Sequence, residues 1–91
     1  MTSYLKFSVQ FHTQINQSIR IIGNIKDLGE WDTNKGLCLQ TNQQIYPEWT
    51  HETFIEVPFG ILIEFKCALY EREQLIRWER FEQFFFRKLV F

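Results

Sequence analysis

The chain has 91 residues, enough for one domain with one core, and its 23% charged and 45% hydrophobic residues are typical of a globular protein. A net charge of −1 and a pI near 6.1 argue against nucleic acid or an anionic membrane as partner, because both attract basic surfaces. No apolar run is long enough to span a membrane. We expect a single domain, residues 1–91, whose strand-like ends are consistent with excision from a longer protein.

The first predicted strand is YLKFSVQF, residues 4–11, in which apolar and polar side chains alternate. The side chains predicted to face the core are those of Leu5, Phe7, Val9 and Phe11. Four more strands are predicted, at SIRIIG (18–23), GLCLQ (36–40), TFIEVP (53–58) and ILIEFKCALY (61–70). Short strands separated by glycine and proline turns predict an antiparallel sandwich or barrel.

The last segment, EREQLIRWERFEQFFFRKLVF (71–91), is ambiguous from its pattern alone. Its apolar residues at positions 75, 78, 81, 85 and 89 fit an amphipathic helix as well as they fit two strands. In a strand, Phe84, Phe85 and Phe86 cannot all face one core, because successive side chains point to opposite faces. An alternative role therefore stays open: a sandwich that uses these aromatic residues for protein–protein contact or self-association.

The sequence contains no nucleotide-binding glycine loop and no GxSxG nucleophile motif. His12 and His51 are isolated, so we predict no metal site. The acidic residues Asp27, Glu30 and Asp32 could be read as a catalytic acid pair or a calcium loop, but the oxygen spacing of an EF-hand is missing. We therefore expect neither enzyme activity nor a cofactor.

Cys38 and Cys67 do not form a CxxC pair, and both alternate with apolar neighbours. We predict that both are reduced, buried thiols. The first residues, MTSYLKFSVQ, lack the apolar stretch of a signal peptide, so we expect a cytoplasmic location.

The three tryptophans, Trp31, Trp49 and Trp78, are flanked by polar residues and lie outside continuous apolar runs. Any one of them could be a core residue, but together they indicate exposed aromatic platforms. The flat apolar face of an indole suits the C–H-rich face of a pyranose ring, and polar neighbours can bond the hydroxyls around it. Lys66 alternates with Phe65 and Cys67, which predicts that its side chain points to solvent on the same sheet.

Three segments, in this order, carry a family resemblance: IRIIGNIKDLGEWDTNKGLCL, VPFGILIEFKC and IRWE. They resemble the signature of starch-binding domains of carbohydrate-binding module family 20. The resemblance implies an antiparallel, immunoglobulin-like β-sandwich of about seven or eight strands. It also implies strands in the last segment, and we expect FFFRKLVF to pair at a sheet edge near the first strand. It also implies non-catalytic binding of α-1,4-glucans (starch, glycogen, maltooligosaccharides, cyclodextrins) that tethers an attached catalytic domain to the polymer.

The resemblance implies two carbohydrate sites. In the first, Trp31 and Trp78 match the stacking tryptophans of the family, and the polar contacts match Lys66, Glu79 and Gln83, the last standing where the family usually has Asn. We expect Gly29 to let the chain turn tightly before Trp31 and Leu28 to anchor this loop in the core. The second, weaker site matches Trp49, with Tyr46 as its tyrosine and Ile15 in place of another.

Overall fold

The structure, a computed structural model, describes residues 2–58, 60–78 and 86–88. For residues 2, 3 and 86–88 it describes the backbone alone. The strands are β1 (Thr2–Leu5), β2 (Ser8–Gln10), β3 (Gln17–Gly23), β4 (Leu37–Cys38), β5 (Glu48–Thr50), β6 (Ile55–Pro58), β7 (Leu62–Glu71), β8 (Gln74–Trp78) and β9 (Phe86–Lys88). A 3-10 helix covers Lys26–Trp31. Within the described ranges no helix is both long and apolar enough to cross a membrane.

All strand pairs are antiparallel. β1 pairs with β6 and β2 with β5, while the larger sheet has the order β4-β3-β7-β8, with β9 added to β7. The predicted all-β antiparallel class is confirmed. The described residues form nine strands instead of the seven or eight expected, because the first predicted strand is divided in two and β5 was not predicted.

The division of the first strand lies at Phe7. Its N–H donates to Nε2 of the buried His51 at 2.9 Å, and its carbonyl accepts from the Thr50 hydroxyl at 2.7 Å, so two side chains satisfy the backbone where the ladder is interrupted. The alternation of side chains nevertheless continues across the break. Phe7 and Val9 are buried while Lys6 is exposed, as the pattern predicted.

The main core lies between the strand pairs and the larger sheet. Alternate residues of β7 point into it, and the ring of Phe7 meets that of Phe65 edge-on, with centroids 4.8 Å apart. The buried members of this core are Phe7, Val9, Ile19, Ile21, Leu28, Leu39, Trp49, Ile55, Val57, Ile63, Phe65, Cys67 and Leu69. These apolar side chains hold the layers together through the area that they remove from water.

A second, smaller cluster lies on the other face of the larger sheet, which we call the outer face. Ile22, Ala68 and Tyr70 are buried there, and Leu75 packs against them. β7 is thus buried on both faces between Cys67 and Tyr70. A strand of this kind needs a cover on each side. On the outer face the connection from β3 to β4 provides cover, since Gly36 lies against Ile22 and the Thr33 carbonyl meets the Tyr70 hydroxyl.

The last segment forms strands, as the family resemblance implied. β7 and β8 are joined by Arg72 and Glu73, both at positive φ (49° and 71°), the conformation of a tight two-residue hairpin. β9 pairs with Leu62–Glu64 of β7, not with the first strand as we expected. Phe84 and Phe85 lie outside the described residues, and only the backbone of Phe86 is described.

The two cysteines differ in exposure. Cys67 is buried, but Cys38 is exposed, so the prediction of burial is wrong for Cys38. β4 is an edge strand, and it is Leu37 and Leu39, on either side of Cys38, that pack towards the core. An alternating strand that turns two leucines inward must turn the residue between them outward. Cys67 has the opposite phase, because its neighbour Lys66 faces solvent.

Candidate functional site

Trp31 is carried by the connection between β3 and β4, residues 24–36, here called the Trp31 loop. Its side chain is 44% exposed. Gly29, Glu30 and Trp31 have positive φ values of 83°, 50° and 67° in succession. Glycine adopts this conformation freely, whereas Glu30 and Trp31 are strained in it, as often happens at binding sites. The loop therefore holds Trp31 out by a specific backbone conformation.

Leu28 anchors the first half of this loop. Its side chain is fully buried in the main core and lies against Gly23, where an added Cβ would come within 2.7 Å of the Leu28 Cδ1. At Gly29 an added Cβ would lie 2.7 Å from the carbonyl carbon and oxygen of Lys35, so the loop closes on itself there. The anchoring role predicted for Leu28 and the turning role predicted for Gly29 are both confirmed.

Asn24 ties the start of the loop to β7 with three hydrogen bonds. Its backbone N–H donates to the Glu64 carbonyl at 3.0 Å, and its side-chain Oδ1 accepts from the Glu64 N–H at 3.0 Å. Its Nδ2 donates to the Leu62 carbonyl at 3.1 Å. A single asparagine thus continues the β3–β7 ladder beyond the last pair of the strands. Sequence reasoning did not single out Asn24, although its place directly after the glycine that ends β3 is the signal for it.

Tyr70 holds the far end of the loop. Its buried hydroxyl donates a hydrogen bond to the Thr33 carbonyl, two residues after Trp31. The Arg20 guanidinium lies 3.9 Å from the centroid of the Tyr70 ring and pairs with Glu73 at 2.9 Å. Burial raises the pKa of Tyr70, and the positive charge of Arg20 opposes this in part. The phenol is therefore neutral at physiological pH and keeps its proton for Thr33.

Trp78 and Lys66 share the outer face. Trp78 is 40% exposed and pairs across the strands with Ala68, while Lys66 is exposed two residues along β7 on the same face. A bulge in β8 leaves Ile76 without a partner in the register, so that Leu75 pairs with Tyr70. Leu75 and Trp78 are three positions apart, so in a regular strand they would face opposite sides of the sheet. The extra residue, Ile76, puts both of them on the outer face.

The predicted first site is thus partly assembled in the structure. The Trp31 loop, Lys66 and Trp78 all come to the outer face, over and beside the buried Tyr70 cluster. Glu79 and Gln83 lie outside the described residues. The roles of these five residues in carbohydrate binding stay predictions.

One of the three acidic residues of the loop, Asp32, has a structural role. The side chain of Asp32 accepts a hydrogen bond from the Asn34 N–H at 2.9 Å, and its carbonyl accepts one from the Lys35 N–H at 2.9 Å. Both bonds shape the turn that leads into β4. In the described part of the chain, no three His, Cys, Asp or Glu side chains are grouped closely enough to hold a metal ion.

The predicted second site is not assembled as expected. Trp49 is only 6% exposed, packs in the main core and donates from Nε1 to the Phe11 carbonyl at 3.1 Å. It therefore lacks the open ring face that stacking requires, and its assignment as a carbohydrate contact is corrected to a core role. Tyr46 is 40% exposed, but its hydroxyl is bonded to the backbone N–H and carbonyl of Thr13. Ile15 is 87% exposed.

Comparison with known proteins supports the same assignment. A family model described as a starch binding domain matches residues 2–88. The chain belongs to carbohydrate-binding module family 20. It is 37% identical over 67 residues to the cyclomaltodextrin glucanotransferase of Geobacillus stearothermophilus, a match covering 74% of this chain and 9% of that enzyme. It is 30% identical over 67 residues to the alpha-amylase of Thermomonospora curvata, covering 74% of this chain and 11% of that enzyme.

Two solved structures are similar to this family 20 module. The family 20 carbohydrate-binding module of the maltotetraose-forming amylase from Pseudomonas saccharophila has a TM-score of 0.68 and 26% identity, covering 86% of this chain and 81% of that one. The Hypocrea jecorina glucoamylase has a TM-score of 0.80 and 20% identity over 98% of this chain and 15% of its own, which shows the shared fold. The predicted β-sandwich is confirmed. The chain spans about a tenth of the length of the curated relatives that it matches.

Proposed function

We propose that this starch-binding domain binds α-1,4-glucans by stacking glucose units on Trp31 and Trp78. The observation that carries the proposal is that Trp31 and Trp78 are exposed while Trp49 is buried. Trp78 lies on the outer face of the larger sheet, and the loop that carries Trp31 reaches the same face at Thr33. Exposed indoles lose little conformational entropy on binding, and their flat faces suit the apolar side of a pyranose. Two rings carried on different elements can also follow the curvature of an amylose chain.

The polar part of the proposed site begins with Lys66. Lys66 is exposed on the outer face, two residues along β7 from the cross-strand partner of Trp78, and an ammonium group can donate hydrogen bonds to sugar hydroxyls. By family resemblance, Glu79 and Gln83 add an acceptor and an amide. Such a site is shallow, so we expect micromolar to millimolar dissociation constants, roughly −8 to −4 kcal/mol.

Weak sites become effective on a polymer that offers many chains at high local concentration. The curated relatives are named as a glucanotransferase and an amylase, and this chain matches only a small part of each. We infer that the domain has no catalytic activity of its own and holds an attached catalytic domain on starch or glycogen. The cytoplasmic location expected from the sequence stays a prediction.

The test is isothermal titration calorimetry with β-cyclodextrin and maltoheptaose. Trp31→Ala and Trp78→Ala should each weaken binding about 10- to 100-fold, as removal of an aromatic anchor usually does. Lys66→Ala should weaken it less, because its ammonium group stays partly hydrated. The matched control is Ile76→Ala, an apolar residue 48% exposed on the same strand as Trp78, which should bind like the wild type.

The folded state of each variant is checked by circular dichroism. A folded wild-type domain that gives no heat with either sugar, and is not retained on amylose resin, contradicts the proposed function. Interaction through the aromatic segment around Phe84, Phe85 and Phe86 would then be examined by sedimentation.

A further inference from the structure

Glu64 lies in β7 at the point where the Trp31 loop begins. Its backbone N–H and carbonyl are both bonded to Asn24, each at 3.0 Å. Its side chain is exposed, and it lies on the outer face, because its neighbours Ile63 and Phe65 point into the main core and side chains alternate along a strand. The backbone of Glu64 is thus held in place while its carboxylate is open to solvent.

Glu64 forms one row of side chains with residues of the proposed site. Along the outer face of β7 the next residue in the row is Lys66, and the one after it is Ala68, the cross-strand partner of Trp78. A strand rises about 3.3 Å per residue, so the Cα atoms of neighbours in this row are about 7 Å apart. A glucan chain that passes from Trp78 over Lys66 and continues along the row therefore reaches Glu64.

The two charged side chains of the row offer opposite kinds of hydrogen bond. An ionised carboxylate accepts hydrogen bonds and donates none, whereas an ammonium group only donates them. A sugar hydroxyl does both. Hydroxyls of one chain can therefore donate to Glu64 and accept from Lys66, so both charged groups suit an unmodified sugar.

The same row also determines how the site responds to a charged ligand. A phosphate ester on a sugar carries a charge of about −1.5 to −2 at pH 7, so Lys66 attracts it and Glu64 repels it. At about 7 Å in water each of these interactions amounts to about 1 kcal/mol, and the two oppose each other. The Trp31 loop does not offset the repulsion, because it contributes three acidic and two basic residues, Asp27, Glu30, Asp32, Lys26 and Lys35.

We infer that Glu64 is a specificity-determining residue of the glucan site, and this inference rests on the proposed function. Its carboxylate accepts a hydroxyl of a neutral α-glucan and disfavours a phosphate ester at the same place. Specificity is a difference between two affinities, and a group that repels the wrong ligand contributes to it as well as one that attracts the right ligand. Lys66 alone would favour the anion, so the preference for a neutral chain depends on Glu64.

The test is isothermal titration calorimetry with β-cyclodextrin and with its monophosphate ester. The wild type should bind the neutral sugar at least as tightly as the ester. Glu64→Gln keeps an acceptor oxygen and removes the charge. Its affinity for β-cyclodextrin should therefore stay within about twofold of the wild type, while its affinity for the ester should rise about three- to tenfold. This rise should shrink in high salt, because salt screens exposed charges.

Two further variants complete the experiment. Glu64→Ala removes the acceptor as well as the charge, so it should also weaken binding of β-cyclodextrin, by about threefold or more. The matched control is Glu56→Gln. Glu56 is an exposed glutamate of β6, whose neighbours Ile55 and Val57 point into the main core from the strand pair across from the larger sheet. Its replacement makes the same change in net charge and should leave both affinities unchanged.

The outcomes separate the inference from the proposed function. If the wild type binds β-cyclodextrin but prefers the ester, or if Glu64→Gln leaves the ratio of the two affinities unchanged, the inference is refuted while the proposed function stands. An equal change of that ratio in Glu56→Gln would assign the effect to net charge and also refute it. If Glu64→Gln weakens both ligands alike and shifts the NMR signals of the Asn24 side-chain amide, Glu64 acts through the loop and the inference is wrong. A folded wild type that binds neither ligand refutes both.

Discussion

Trp31 and Trp49 have similar neighbours in the sequence and opposite roles in the structure. Each lies between two polar residues, yet Trp31 is 44% exposed and Trp49 only 6%. Trp49 lies in β5 opposite Val9, and in a strand a buried residue normally has outward-facing polar neighbours. Trp31 lies in a loop at positive φ, where this alternation does not apply. Polar neighbours therefore indicate exposure only when the local backbone is known.

The largest expected effect tests this contrast directly. Trp49→Ala should lower the free energy of unfolding by about 3–5 kcal/mol, because it leaves a cavity in the core. Trp31→Ala should change the free energy of unfolding by less than about 1 kcal/mol. The Trp31 ring is nearly half exposed, and alanine adopts the positive φ at this position at no greater cost than tryptophan. Urea denaturation followed by circular dichroism measures both. Equal losses in the two variants would contradict the assignment of Trp49 to the core.

A smaller effect is expected at the glycine that turns the chain before Trp31. Gly29→Ala should destabilise the domain by about 1–3 kcal/mol, because its φ is 83° and the new Cβ would meet the Lys35 carbonyl at 2.7 Å. It should also weaken binding of β-cyclodextrin by displacing Trp31.

The control for Gly29 is Gly60→Ala. Gly60 has a similar φ of 80°, but among the described residues, its chain neighbours aside, no atom lies within 4 Å of the added Cβ, so we expect the conformational cost alone. The denaturant midpoints of the two variants separate two costs. Both variants carry the cost of a positive φ, and only Gly29→Ala adds the close contact with Lys35. Equal losses would show that close approach to Lys35 contributes nothing.

The other end of the Trp31 loop gives a pH-dependent prediction. Tyr70→Phe should cost about 0.5–1.5 kcal/mol at neutral pH, because the hydrogen bond to the Thr33 carbonyl is lost. The folded-state pKa of Tyr70 is raised above its ordinary 10.0, so its contribution to stability is complete below about pH 10 and is lost as the pH rises through the folded-state value. The stability of the wild type should therefore fall more steeply above pH 10 than that of Tyr70→Phe.

Thermal unfolding between pH 7 and 11 measures this difference. Tyr4→Phe serves as the control, because Tyr4 is 60% exposed and its hydroxyl is not needed by the loop. If the unfolding temperatures of wild type and Tyr70→Phe fall in parallel with pH, the Tyr70 hydroxyl does not stabilise the Trp31 loop against the sheet.

The smallest effect concerns the two cysteines. Like Trp31 and Trp49, one of them is exposed and the other is buried. A thiol reagent should label Cys38 in the native domain without unfolding it, whereas Cys67 should react only in denaturant. Mass spectrometry after short labelling measures both. Cys38→Ser should remove the native reaction, and two rapidly labelled thiols in the folded wild type would contradict the buried position of Cys67.

Much of the fold could be predicted from local pattern and turn chemistry. The alternation in residues 4–11 gave the inward face of the first strands, and the motif ending at Trp31 gave the loop, its leucine anchor and its glycine turn. β5 was missed because its three residues, Glu48–Thr50, are too short to show a period. For residues 71–91 the pattern fitted helix and strand equally, and family resemblance decided correctly for β8 and β9.

The sequence by itself determined the strand-rich class, the family and the identity of the aromatic and basic residues of the candidate site. Tertiary structure decided which of them are exposed. Trp49 is covered because β2 and β5 pair beside the core, and Trp78 reaches the outer face beside Leu75 because a bulge shifts the register of β8. The hydrogen bond between Tyr70 and Thr33 spans 37 positions of the chain, and the one between Asn24 and Glu64 spans 40. Local patterns report on neighbours along the chain, whereas burial and long-range hydrogen bonds depend on which segments the fold brings together.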